Sequence, residues 1–216
     1  MPKTITKECK VYSFGELSDD VKEKVIEKHR QYAYEDSYHS ESLKEYFKEY
    51  LEERGLPSEE IEFSLSYCQG DGVAFYGRIV NWRRDDSSLE KFLKHYNAYD
   101  KFKDLAKYAY IRIEIARNRN GYHYSHYNTM CVDVEWESSL QDYDDELRQA
   151  VVDKIEEPFE DLAKELREVV EEIVVEVSKE LEKQGYAYFD DVYSDERITE
   201  EIKINEYRFT EDGTII

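Results

Sequence analysis

Over residues 143–183 apolar side chains recur at steps of three and four, at Ile155, Phe159, Leu162, Leu166, Val169, Ile173, Val177 and Leu181. One stripe of a very long helix must therefore be buried. This constrains the fold more than any other feature, because such a helix needs either a sheet to cover or another helix to pair with. Covering a sheet of its own chain is the expectation; pairing in a homodimer through the 155–181 helix is the alternative. Pro158, which has no amide hydrogen, either starts a helix or kinks this one.

The sheet is legible upstream. From Glu60 the period changes to two: Ile61, Phe63, Leu65 and Tyr67 alternate with polar residues, as do Val73, Phe75, Gly77 and Ile79 after the reversal Gln69-Gly70-Asp71-Gly72. A helical insert over 87–107 separates this hairpin from a second one. In that pair Ile111, Ile113 and Ile115, then Met130, Val132, Val134 and Trp136, alternate with Arg112, Glu114, Asp133 and Glu135. Towards the N-terminus a short strand over 8–14 precedes a helix capped by Ser18 and a second helix from Ser42 that stops at Gly55-Leu56-Pro57. The tyrosine-rich run 32–38 lies between them as a kink or interruption. After the long helix come a helix from Asp195, an extended Tyr207-Arg208-Phe209 and a turn at Asp212-Gly213. The pattern predicts an α+β fold: a four-stranded, mainly antiparallel sheet covered on one face by helices, with a long acidic C-terminal helix, in one domain over 1–216.

Charge narrows the function. The 216 residues carry 51 acids and 30 bases, a formal net charge of −21. Residues 141–216 hold 25 of the acids against 9 bases, which is −16, and leave −5 for the rest. Such a field repels nucleic acid phosphates and anionic headgroups, so neither direct nucleic acid binding nor membrane binding is expected. With 20 Tyr and 9 Phe the acidic part is no disordered tail. Cys9, Cys68 and Cys131 are an odd number without CxxC spacing, and the N-terminal residues lack the apolar run of a secretory signal. A reducing, cytoplasmic location is the expectation.

Two candidate sites follow. The first is the acidic C-terminal part, where Asp142, Asp144, Asp145, Glu156, Glu157, Glu160, Glu168, Glu171, Glu172 and Glu176 exceed the bases available to pair with them. A row of carboxylates spaced by several ångströms imitates the phosphates of a duplex and suits a basic partner; a merely solvated helix face is the plainer reading. The second is the connecting turn, where Arg78, Arg112, Arg117 and Arg119 with Tyr122, His123 and His126 would form an anion or nucleotide pocket. The arginines would otherwise pair with the excess carboxylates. Metal chemistry has weak support, since the His spacing fits no zinc motif and only His126 with Asp133 offers a pair. No GxGxxG, P-loop, GxSxG or HExxH pattern occurs, so neither a cofactor nor a catalytic residue is expected.

Four stretches, Tyr12–Ser18, Gln69–Phe75, Gly121–His126 running on to Met130–Glu135, and Asn205–Gly213, resemble an uncharacterised family of bacteriophage proteins loosely labelled antitoxins of toxin–antitoxin systems. The resemblance implies a phage-encoded protein acting inside the host cell. With the charge pattern, the expectation is a non-enzymatic inhibitor that binds the basic, nucleic-acid-binding surface of a host protein or nucleoprotein complex, as an anti-defence or anti-CRISPR type of nucleic acid mimic. Alternatives are a protein that binds or cleaves a nucleotide messenger at the Arg117–His126 turn, and an antitoxin or phage assembly factor.

Overall fold

The structure is a computed structural model that describes residues 10–35, 37–81, 88–118, 124–138 and 145–216, with the backbone alone at 35 and 145–157. The residues group into two compact units, 43–185 and 1–42 with 186–216.

Unit 43–185 is built on β2 (Glu60–Ser64), β3 (Gly72–Val80), β4 (Ala109–Arg117) and β5 (Met130–Ser138), in the order β2-β3-β4-β5 with every pairing antiparallel. Ile79 lies opposite Ile113, Ile111 opposite Trp136 and Ile115 opposite Val132. These residues make the inner face, and Ile79, Ile111 and Ile113 are fully buried on it. The outer face alternates charges, with Arg78 opposite Glu114 and Arg112 opposite Glu135. β3 pairs with β2 through its first half and with β4 through its second, and the change falls at Gly77, whose φ is 144°. A Cβ there would lie 1.7 Å from the Glu59 carboxylate. Only glycine allows that approach together with that backbone.

Helices cover the inner face. The insert forms two, α3 (Ser88–His95) and α4 (Tyr99–Tyr108), rather than one. Asn97 stops the first: it takes a left-handed φ of 55°, and the amides of Asn97 and Ala98 return to the carbonyls of Lys94 and Leu93. The same cap closes α2 (Ser37–Glu53), with Gly55 at φ 71° and the amides of Gly55 and Leu56 bonded to Glu52 and Leu51. α2 begins five residues before the expected Ser42. The long helix, α5, runs unbroken over Asp145–Val192 with Pro158 inside it. Of its stripe, Phe159, Leu166, Ile173, Val177 and Leu181 are buried within the chain and Leu162 and Val169 are half-buried, while the Ile155 side chain lies outside the described residues. Phe159 meets Trp136 edge-on at 5.9 Å, and the Ser178 hydroxyl donates to the Val73 carbonyl.

The first hairpin departs from its expected register. Leu65 and Tyr67 leave the strand, and Tyr67 is left-handed at φ 56°. The cause is Asp71, 5% exposed, whose carboxylate accepts from the Ser64 hydroxyl (2.9 Å) and from the amides of Ser66 (2.6 Å) and Cys68 (3.0 Å). These bonds gather residues 65–71 into a loop instead of a tight turn.

The other unit holds α1 (Asp19–Glu35), α6 (Asp195–Ile204) and parts of α2 and α5. Its core is Phe14, Leu17, Val25, Ile198, Ile202 and Phe209. β1 (Tyr12–Ser13) pairs antiparallel with β6 (Arg208–Phe209), joining the two ends of the sequence. Ser194 caps α6 by accepting from the Arg197 amide at 3.1 Å.

Candidate functional site

The outer face of α5 is set by the same periodicity that buries its inner stripe. Between residues 160 and 176, Glu160, Asp161, Glu165, Glu168, Glu171, Glu172 and Glu176 are exposed, against the bases Lys164 and Arg167. This span is about 24 Å long at 1.5 Å per residue. Glu165 pairs with Lys101 (3.0 Å) and Glu171 with Arg167 (2.9 Å). Among the described residues Glu160, Asp161, Glu168, Glu172 and Glu176 make no ion pair. Glu168, Glu172 and Glu176 follow one another at i, i+4, the spacing at which like charges repel on a helix. Asp142 and Asp144 lie outside the described residues, as do the side chains of Asp145, Glu156 and Glu157.

The arginines of the second candidate are engaged elsewhere. Arg78 pairs with Glu114 at 3.4 Å, and Arg112 with Glu114 and with Glu135 at 3.3 Å, all across the outer sheet face. Burial raises the Glu114 carboxyl, but the hydrogen bond and charge of Arg112, then Arg78, outweigh it and hold the group below its ordinary value. Arg117 reaches Glu62 and, at 3.8 Å, Glu60, with its guanidinium 5.1 Å from the centre of the Tyr76 ring. Arg119, Tyr122 and His123 lie outside the described residues.

Beside His126 there is nevertheless a pocket of about 420 Å³ lined by Gln69, Gly70, Tyr124, His126, Asn128 and Thr129. Its walls are the Asp71-organised loop and the short 3₁₀ turn Tyr127–Thr129. The two approach closely: a Cβ on Gly70 would meet the Tyr124 ring at 2.7 Å, and one on Gly72 the Ser125 carbonyl at 2.8 Å. The His126 Nδ1 accepts from the Asn128 amide at 3.2 Å, which fixes the ring as the cap of the turn. None of Arg78, Arg112 and Arg117 lines this pocket. No group of three or more His, Cys, Asp or Glu among the described residues is placed to hold a metal ion.

A second pocket, of about 510 Å³, had no counterpart in the sequence reading. Tyr50 of α2, Arg54 beyond its end, Tyr96 after α3, and Glu176, Val177, Lys179, Glu180 and Lys183 of α5 line it. Locally the sequence carried only the spacing of Tyr50 with Arg54 and of Glu176, Lys179, Glu180 and Lys183 on their helices, and nothing that joined the two sets.

Cys68 and Cys131 are free thiols. The Cys68 Sγ donates to Asp71 at 3.2 Å, and that bond raises its pKa, the opposite of nucleophile activation. Among the described residues no helix is long and apolar enough to cross a membrane.

Comparison with curated proteins and with solved structures finds no match to the chain. A family model matches residues 39–195, which hold the α5 face and both pockets: the chain belongs to the DUF8835 family, a domain of unknown function.

Proposed function

We propose that this protein is a non-enzymatic inhibitor of phage type, which acts in the host cytoplasm by presenting the outer face of α5 to the basic, nucleic-acid-binding surface of a host complex. One observation carries the reading: five exposed carboxylates, Glu160, Asp161, Glu168, Glu172 and Glu176, stand without ion pairs among the described residues, along a helix whose opposite stripe is locked into the core. Solubility alone does not call for an i, i+4 row of glutamates, which costs a few tenths of a kcal/mol per pair. A rigid row of that kind steers a cationic surface into register and speeds association. The resemblance to phage proteins supports the choice of partner.

The test is displacement of a labelled DNA duplex from purified nucleic-acid-binding defence complexes. Displacement is expected at about 50 mM salt and is expected to weaken at least tenfold by about 300 mM, because screening shortens the reach of exposed charges. The triple variant Glu168→Lys, Glu172→Lys, Glu176→Lys should abolish it. A reversed variant that competes as well as the parent would reject the reading.

The pocket beside His126 favours a second reading, a protein that binds or cleaves a nucleotide messenger there. A panel of cyclic and linear nucleotides read by thermal shift and product formation tests it, with Tyr124→Ala and His126→Ala as the variants that should lose any shift.

A further inference from the structure

We propose that the pocket formed by Tyr50, Arg54, Tyr96, Glu176, Lys179 and Lys183 binds a small phosphomonoester that also carries hydroxyl or amino groups, such as a sugar phosphate or a nucleoside monophosphate. This site shares Glu176 with the acidic face but takes a different class of ligand, and it stands whether or not that face binds a basic partner.

Its volume of about 510 Å³ lies within the range of small-molecule sites. Its charge runs against that of the molecule. In a chain of net charge −21, three cations and two carboxylates line it. Lys179 and Lys183 stand four apart on α5, just where the acidic row ends, and neither makes an ion pair among the described residues, although the Lys179 ammonium lies 4.9 Å from the centre of the Tyr127 ring. Arg54 is held in place rather than loose on the surface. Its guanidinium stacks 3.4 Å from the centre of the Tyr50 ring, its Nη1 donates to the Tyr50 carbonyl at 2.9 Å and lies 3.7 Å from the exposed Glu53 carboxylate, and its side chain is 23% exposed.

The ligand class follows from the groups it must satisfy. A guanidinium with two ammonium groups supplies more donors than a two-oxygen carboxylate can accept and suits the three free oxygens of a phosphate monoester. Glu176 and Glu180 disfavour a bare anion and accept from hydroxyl or amino groups, so the phosphate must arrive on such a carrier. Glu180 is already oriented, accepting from the Gln184 amide at 2.7 Å. The wall holds one more donor. The Tyr96 hydroxyl is buried with no partner among the described residues. Burial, with smaller contributions from its neighbours, lifts its pKa to about 12, so it stays protonated. It is closed to water as the pocket stands, and the proposal requires the rim side chains to shift for a ligand oxygen to reach it.

Calorimetric titration of the full chain with ribose 5-phosphate, adenosine 5′-monophosphate, inorganic phosphate and ribose tests the proposal. At least one of the two esters should bind at least tenfold more tightly than inorganic phosphate, and ribose should not bind. Which ester is tighter distinguishes a sugar phosphate from a nucleotide. The double variant Lys179→Gln, Lys183→Gln should weaken binding by about tenfold or more, the value of one to two charge-assisted hydrogen bonds. Tyr96→Phe should weaken it severalfold without lowering the melting temperature of the free protein. Glu168→Lys with Glu172→Lys should leave ester binding intact while impairing competition with DNA, which separates this site from the acidic face. The proposal is overturned if neither ester binds at about 5 mM, or if the double lysine variant, shown folded by circular dichroism, binds as well as the parent.

Discussion

Asp71 shows how much one buried carboxylate can organise. Its bonds to Ser64, Ser66 and Cys68 decide where the first hairpin stops being a sheet. Asp71→Ala leaves those donors unmet and should cost about 1–3 kcal/mol in urea denaturation, with Asp71→Asn milder because one amide oxygen still accepts. Tyr96 predicts the opposite sign. Removing a hydroxyl that has no partner among the described residues relieves a desolvation penalty, so Tyr96→Phe should leave stability unchanged or raise it by up to about 1 kcal/mol. Glu16 gives a pH signature. The Ser13 amide (2.7 Å) and then its hydroxyl (2.8 Å) bond the Glu16 carboxylate and hold its pKa below the usual value. A carboxyl lowered in the folded state stabilises above its ordinary unfolded pKa, and that contribution is lost as pH falls through the lowered one. An NMR titration should place Glu16 below a typical glutamate, and Ser13→Ala should raise it only in part, because the amide that contributes most is kept. The roles of Asp71 and Tyr96, read as a turn residue and as part of a helix, depend on groups gathered by folding, whereas Ser13 and Glu16 form a local Ser-x-x-Glu capping box that the sequence carried and the reading missed.

At the scale of elements, period was the reliable guide. The alternation in β4 and β5 and the stripe of α5 came out where periodicity put them, since burying one face fixes both strand and helix. Element ends were less legible. A left-handed Asn97 splits the insert, a residue type that takes this conformation more readily than most, and a left-handed Tyr67 lies in the loop after β2, where the residue type gives no such sign. Pro158 sits inside α5 without ending it. Gly77 predicts a measurable element-scale cost: an added Cβ would strike the Glu59 carboxylate where β3 changes partners, so Gly77→Ala should destabilise by more than the roughly 1 kcal/mol of an ordinary glycine exchange in denaturant unfolding. On α5, Glu172→Gln removes two like-charge i, i+4 contacts, with Glu168 and Glu176, and should raise stability by a few tenths of a kcal/mol. A loss of stability would show that Glu172 serves the fold rather than a partner.

For the whole molecule the dominant quantity is charge. With a net charge of −21 the folded chain repels itself, and the Debye length falls from about 30 Å at 10 mM salt to about 8 Å at 150 mM. The melting temperature should therefore rise over that interval, by scanning calorimetry, until screening is complete. By itself the sequence determined the α+β class, the antiparallel sheet, the long amphipathic helix and the acidic outer face of that helix, because local periodicity and charge order are carried by neighbours along the chain. Tertiary structure alone decided the rest. It joined Tyr12 to Phe209 across nearly the whole chain, spent Arg78, Arg112 and Arg117 on ion pairs instead of the His126 turn, and assembled Tyr50, Arg54, Tyr96 and Lys183 into one pocket. Those outcomes follow from which distant faces meet when apolar surface leaves water, and no local pattern records such a meeting.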